Sequence, residues 1–264
     1  LIGAANAGGE FSDWQRRGNA SMLEYLYLPH DISTFGPQVD WLFELIFWPV
    51  AAVWIAVMVA MVFFMIRYRA RPGRKAEYIE GNPRLEIIWT TATAVILVIL
   101  ALMSRSTWAD IKEHGPPGEA FYLVNAKQFN WEFTYPGPDG KFGEKGEITI
   151  ENEMHVPVNK VVRIDLTSRD VIHSFFIPNM RLKQDVVPGH TIHVWFEATE
   201  TGQYEIACSE LCGFGHSGMK ASLTVQSQED YDKWLKDLYA HPPAPPASSS
   251  PATPATPPQG ASPQ

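Results

Sequence analysis

Cysteine is nearly missing from this chain of 264 residues, which has two in all, Cys208 and Cys212. A scaffold stapled by several disulfides is thereby excluded, since two thiols allow one bridge at most. The haem-attachment pattern C-x-x-C-H is also absent. Charge is missing from two stretches. No Asp, Glu, Lys or Arg occurs at 45–66, a run of about 22 residues that is long enough to cross the hydrocarbon core of a bilayer. A second run, at 87–104, is rich in Ile, Leu and Val. At about 18 residues it lies near the lower limit for a span, the alternative being a buried core helix.

Between these runs the charge is mostly of one sign. Arg67, Arg69, Arg71, Arg74, Lys75 and Arg84 stand against Glu77 and Glu80, an excess that the positive-inside rule places in the cytoplasm. Both termini then lie outside. Trp48, Trp54, Trp89 and Trp108 include residues suited to the membrane interfaces, although tryptophan is also ordinary packing material. At the start, Ala5, Asn6 and Ala7 form an A-x-A pattern after apolar residues, which reads as the remnant of an export signal over 1–7 or as an unprocessed small-residue leader.

Beyond residue 105 the long apolar runs give way to period-two alternation, the mark of half-buried strands. Candidate strands are FYLVNAKQFNWEFTY, EITIEN, KVVRIDLTS, SFFIP, TIHVWFEA, GQYEIA and KASLTVQS. In KVVRIDL the pattern points Val162, Ile164 and Leu166 to one side and Arg163 and Asp165 to the other. Turn chemistry separates the runs at PGPDG (136–140), at Pro188 with Gly189 and at Thr201 with Gly202. Many short strands so punctuated predict a sandwich or Greek-key barrel. SQEDYDKWLKDLYA follows, with Ser227 and Asp230 in capping-box positions and Tyr231, Trp234, Leu235 and Leu238 at helical spacing, which predicts one short helix against the sandwich. From 242 to 264 the chain is Pro, Ala, Ser, Thr and Gly with two Gln, the composition of a linker or tail. The predicted organisation is an external segment at 1–39, a helix hairpin at 40–105 with a basic loop at about 67–84, an external β-domain at 106–241 and the linker at 242–264.

The external domain is acidic. Over 105–241 there are 13 Lys and Arg against 20 Asp and Glu, which favours basic partners and disfavours nucleic acid, solubility alone being the plainer explanation.

The chemistry concentrates in CSELCGFGHSGM, 208–219. Two cysteines outside a membrane suggest a disulfide. Yet Cys208, Cys212, His216 and Met219 offer two thiolates, an imidazole and a thioether in one glycine-rich loop, and soft sulfur with imidazole suits copper. The thioether argues against zinc. A blue-copper site uses one Cys, two His and a weak axial Met, so the loop supplies three of the four and lacks a histidine. His173, in DVIHSFFIP, is the best candidate for it, although alone it reads as a hydrogen-bonded core histidine. Cys208 is one thiolate too many for a single copper, and two thiolates bridging two metals would use it.

The loop, the HSF segment and the helix hairpin together resemble subunit II of cytochrome c oxidase, over nearly the whole chain from about Ser33 to Ala240. The resemblance implies an N-terminal two-helix transmembrane hairpin followed by an all-β, cupredoxin-like Greek-key sandwich with a short C-terminal helix. It implies a binuclear copper centre, CuA, with Cys208 and Cys212 bridging both coppers and His173 and His216 each binding one. Met219 and the carbonyl of Glu210 would be the weak ligands, and the Glu210 side chain would reach a Mg or Mn ion shared with subunit I. NPRLEIIWT (82–90) resembles the start of the second transmembrane helix, where Glu86 would lie near a proton-channel entrance; an acidic residue at a helix start is also favoured by the macrodipole. QFNWEFTYP (128–136) resembles the segment of electron entry, but Phe129 stands where most members have tryptophan and Trp131 matches a second one. This Phe form, with RLKQDVVPG (181–189) and the Pro/Ala-rich tail, is more similar to oxidases with a fused or tightly bound cytochrome c. The implied partners are subunits I and III, cytochrome c or a c-type haem domain, and the membrane, here a bacterial inner membrane with the copper domain periplasmic. The competing expectations are a membrane-tethered copper-binding or delivery protein, and subunit II of a quinol oxidase, which lacks the copper ligands. Nitrous oxide reductase shares the motif but needs a large further domain.

Overall fold

A computed structural model describes residues 28–75, 78, 80–112, 115, 116, 120–142 and 146–243. The leader at 1–7 and nearly all of the 242–264 tail lie outside them. The chain divides into two compact units, one of them Phe35–Gly115.

That unit holds two long helices, α1 (Gly36–Arg67) and α2 (Pro83–Lys112). Each contains one of the uncharged runs, and no residue of those runs is buried. Helices of 32 and 30 residues rise about 1.5 Å per residue and exceed the roughly 30 Å of a bilayer core. Apolar residues on all sides, from Trp48 and Trp54 to Leu102, are exposed, a surface that water would not tolerate and lipid would. The start of α2 is capped by Asn82, whose Oδ1 accepts from the backbone N–H groups of Arg84 at 3.1 Å and Leu85 at 3.3 Å.

Among the described residues the second unit is a β-sandwich of ten strands. In chain order these are β1 (Ala120–Lys127), β2 (Asn130–Tyr135), β3 (Ile148–Glu151), β4 (Glu153–Pro157), β5 (Val161–Ser168), β6 (His173–Ile177), β7 (Leu182–Val186), β8 (Ile192–Glu197), β9 (Gly202–Cys208) and β10 (Lys220–Gln226). One sheet runs β3-β2-β1-β5-β8 and the other β4-β10-β9-β6-β7. The β1–β5 and β10–β4 pairs are parallel and the rest antiparallel. Alternation sets what is inside. Val162, Ile164 and Leu166 of β5 are fully buried, as the pattern predicts, and meet Trp131, Phe133, Phe175, Leu223 and others in one core.

The observed strands differ from the predicted ones in three places. FYLVNAKQFNWEFTY is a hairpin of two strands, turning at Gln128 and Phe129. EITIEN stops at Asn152, and EMHVP forms a further strand, β4, in the other sheet. Asn152 makes this switch by adopting φ 58°, a left-handed conformation that asparagine tolerates. Its N–H donates to the Trp131 carbonyl of one sheet, its carbonyl accepts from Ser222 of the other, and its Oδ1 accepts from the Trp131 N–H. LKQDV is the third, unpredicted as a strand; it forms the edge strand β7.

The helix α3 (Gln228–Ala240) forms as predicted, with Ser227 at the N-cap accepting from the Asp230 N–H at 3.1 Å. Tyr231 and Leu238 are buried, and Trp234 stacks on His155 with ring centroids 3.9 Å apart. The segment before α1 also belongs to the sandwich. Ile32 is fully buried, its N–H donates to the Asn179 carbonyl, and its own carbonyl accepts from Thr199.

Candidate metal centre

The register of two neighbouring strands builds half of the site. Phe175 of β6 lies opposite Cys208 of β9, so His173, two residues before Phe175, projects to the same inner face as Cys208. His173 is fully buried and Cys208 nearly so. The His173 Nδ1 lies 3.8 Å from the Cys208 Sγ. After Cys208 the chain leaves the sheet, and the loop is pinned back by Cys208 N–H to the Met219 carbonyl and Ser209 N–H to the Ser174 carbonyl. The loop thereby returns Cys212, His216 and Met219 to the same spot. Cys212 Sγ lies 3.8 Å from Cys208 Sγ, 3.6 Å from His216 Nδ1 and 3.8 Å from Met219 Sδ. The Glu210 carbonyl oxygen is 3.3 Å from Cys208 Sγ, while the Glu210 side chain is exposed.

The two thiols are unbonded, and each faces its own imidazole. The ligand atoms of His173, Cys208 and Cys212 all lie within 4.8 Å of one another. Two thiols flanked by two imidazoles, a thioether and a carbonyl supply soft donors of the kind copper prefers, and the residues fit a copper centre. Burial raises the Cys208 thiol, but hydrogen bonds from His173 and the Ser174 backbone outweigh it and hold Cys208 below the ordinary thiol range. Cys212 is pushed up by burial and by the neighbouring Cys208.

Two residues that the sequence reading did not single out orient this arrangement. Asp170 Oδ1 is 2.9 Å from His173 Nε2, which leaves Nδ1 as the nitrogen that faces the sulfurs. Desolvation opposes charge on Asp170, but His173 and the N–H groups of Gln128 and Val171 stabilise it and lower its pKa. The spacing D-x-x-H was the available signal. Gln128 donates its backbone N–H to Asp170 Oδ2 at 2.7 Å and its side-chain amide to the Cys212 carbonyl. It therefore ties the histidine arm to the cysteine loop, and no motif in the sequence marks it.

The aromatic candidates flank the centre. Trp131 is fully buried, with its ring 6.1 Å from that of His173 and 5.3 Å from that of Phe175. Phe129 is 38% exposed and lies on the loop so closely that a Cβ on Gly215 would come within 2.5 Å of its ring. Leu211 and Phe214 of the same loop are exposed, Phe214 fully. Glu86 belongs to the other unit, in the first turn of α2.

Two protein-family models match the chain: the transmembrane domain of cytochrome c oxidase subunit II over 22–106 and its periplasmic domain over 124–226. An alternative cytochrome c oxidase subunit 2 of Bradyrhizobium diazoefficiens is 29% identical over 242 residues, covering 82% of this chain and 87% of the relative. The cytochrome c oxidase subunit 2 of a Synechocystis strain is 30% identical over 83% of this chain and 76% of its own. That of Alkalihalophilus pseudofirmus is 32% identical over 78% of this chain, which spans 60% of that relative. Among solved structures, the periplasmic domain of subunit II of cytochrome oxidase of Bradyrhizobium japonicum is 31% identical over 46% of this chain and 94% of its own, with a TM-score of 0.42.

Proposed function

The chain belongs to the cytochrome c oxidase subunit II family, and we propose from the geometry above that Cys208, Cys212, His173, His216, Met219 and the Glu210 carbonyl are its CuA ligands. It is a membrane protein with a periplasmic domain and a component of an oxidoreductase complex. The role of the family is to take electrons from cytochrome c and pass them to haem in subunit I, where oxygen is reduced.

The observation that carries the ligand assignment is the paired thiols, each with an imidazole Nδ1 at 3.8 or 3.6 Å. Copper held by these residues would supply one-electron chemistry, taking up and passing on electrons singly. The chain's contribution is to hold the donors still. Asp170 fixes the His173 ring, the Cys208 and Ser209 amides fix the loop ends, and Gln128 joins the two arms. Burial of Cys208, Cys212 and Met219 keeps water from the sulfurs.

The proposal extends to finer readings. The Glu210 carbonyl faces Cys208 while its carboxylate is exposed, which suits it to a Mg or Mn ion shared with subunit I. Electrons enter at Phe129, because Trp131 is buried and Phe129 is exposed on the loop. With Leu211 and Phe214 it offers an apolar face to cytochrome c or to a fused or tightly bound c-type haem domain. The basic connector lies in the cytoplasm, both termini lie outside, Glu86 stands near a proton-channel entrance, and subunit III completes the complex.

The test is electron paramagnetic resonance of the copper-loaded full chain. A hyperfine pattern from one unpaired electron shared equally by two coppers is expected, with two coppers bound per chain. A single-copper signal, or Cys208→Ser retaining the wild-type signal, overturns the ligand assignment.

A further inference from the structure

The end of α1 carries a cluster that electron relay does not use. Between Arg67 and Lys75 the sequence RYRARPGRK has five cations and no acid. Arg71, Pro72, Gly73 and Arg74 form a tight turn, closed by the Arg74 N–H on the Arg71 carbonyl at 3.2 Å. Gly73 at φ 79° supplies the left-handed residue that such a turn needs after proline. The turn folds the chain back on the helix end. As a result the Arg67 and Arg74 guanidinium carbons both lie 5.6 Å from the centroid of the Tyr68 ring.

Two like charges gathered on one exposed ring repel each other, and no described carboxylate pairs with either. All five cations are exposed, and none is ion-paired with a described residue. Stacking on an aromatic face occupies the flat side of a guanidinium and leaves its N–H edge free, the edge that grips a phosphate bidentately. The cluster also lies immediately after a helix long and apolar enough to cross a membrane, at the level where lipid headgroups stand.

We propose that Arg67 and Arg74, clamped on Tyr68, bind the phosphate of an anionic phospholipid headgroup, with Arg69, Arg71 and Lys75 adding a general attraction. The inference rests on the reading of α1 and α2 as membrane spans. Each cation near an anionic surface strengthens binding by about fivefold, so a clamp of two outweighs random lipid exchange. The occupant is a lipid rather than free phosphate because the helix end holds the site where lipid phosphates are concentrated.

The test uses the full chain in phosphatidylcholine vesicles that contain spin-labelled phosphatidylglycerol or spin-labelled phosphatidylcholine. Insertion is verified first by resistance to alkaline extraction, so that failure of the spans is seen separately from failure of the site. The motionally restricted fraction should favour phosphatidylglycerol by at least about fivefold. Arg67→Gln with Arg74→Gln should bring the preference close to unity, whereas Arg69→Gln with Arg71→Gln, which removes equal charge away from the ring, should retain most of it. Equal restriction of both lipids, or equal loss in the two double variants, overturns the clamp. Release by inorganic phosphate at an ionic strength where chloride has no effect overturns the lipid as its occupant.

Discussion

Asp170 reaches two parts of the proposed copper site at once, since one oxygen faces the His173 ring and the other accepts the Gln128 N–H. Replacing it by asparagine preserves the shape and removes the charge that makes His173 a better ligand. Partners of this kind are worth about 10–100-fold in metal affinity. Asp170→Asn is therefore expected to weaken copper binding by a factor in that range in a chelator competition, with the fold intact by circular dichroism. Unchanged affinity would show that the carboxylate merely packs there. Gly215 gives a second prediction at this scale. A methyl group there meets the Phe129 ring at 2.5 Å, and overpacking of this sort costs about 1–3 kcal/mol. Gly215→Ala should lower the melting temperature of the copper-loaded protein, and adding Phe129→Ala should restore most of the loss. Independent, additive effects would mean that the ring does not rest on the loop in solution.

Among the elements, α3 is held to the sandwich by a buried pair of hydroxyls, Tyr122 and Tyr231, 2.8 Å apart. Tyr231→Phe strands the Tyr122 hydroxyl and is expected to cost about 1–3 kcal/mol in urea unfolding, whereas the double change to phenylalanine should cost less than the single one. The pair also sets an alkaline limit. Burial pushes the Tyr231 hydroxyl up to about 12, while the unfolded residue ionises near 10. Above pH 10 the unfolded Tyr231 releases a proton that the folded residue keeps, so this group alone lowers stability from there until about 12, by roughly 1.4 kcal/mol per pH unit, and Tyr122, likewise pushed up by burial, adds to the fall. The double variant should decline less steeply. An identical decline would place the alkaline transition elsewhere.

The same scale shows what the sequence could reveal. Ser227 and the Tyr231, Trp234, Leu238 spacing give α3 unaided, and the alternation in β5 gives its buried face, because each pattern is local. The β1–β2 turn carries no glycine or proline, so alternation runs through Gln128 and Phe129 unbroken. β4 has four of its five residues buried and follows β3 with only Asn152 between, so no turn cluster marks where the chain changes sheets. The ligand loop was legible because its donors lie within twelve residues. The Asp170 and Gln128 contacts were not, because hairpin and loop meet only when both sheets have formed.

For the molecule as a whole, two surface features pull in different directions when a donor docks. The external domain is acidic, which steers a basic cytochrome over a distance, but that steering is screened within about 10 Å at 0.1 M salt. The proposed ligand loop is apolar at its surface instead, with Leu211 and Phe214 exposed there and Phe129 lying against Gly215. Burying one such aromatic contributes about 1.5–3 kcal/mol, a factor of roughly 10–100 in binding. If the short-range face dominates, stopped-flow oxidation of reduced cytochrome c by the assembled oxidase should depend only weakly on ionic strength. Phe214→Ser should then raise KM by about tenfold or more while leaving kcat near wild type, since the ring lies outside the ligand set. A steep fall in rate with salt, together with an unchanged KM for Phe214→Ser, would assign docking to the acidic surface and leave Phe214 without a part in it.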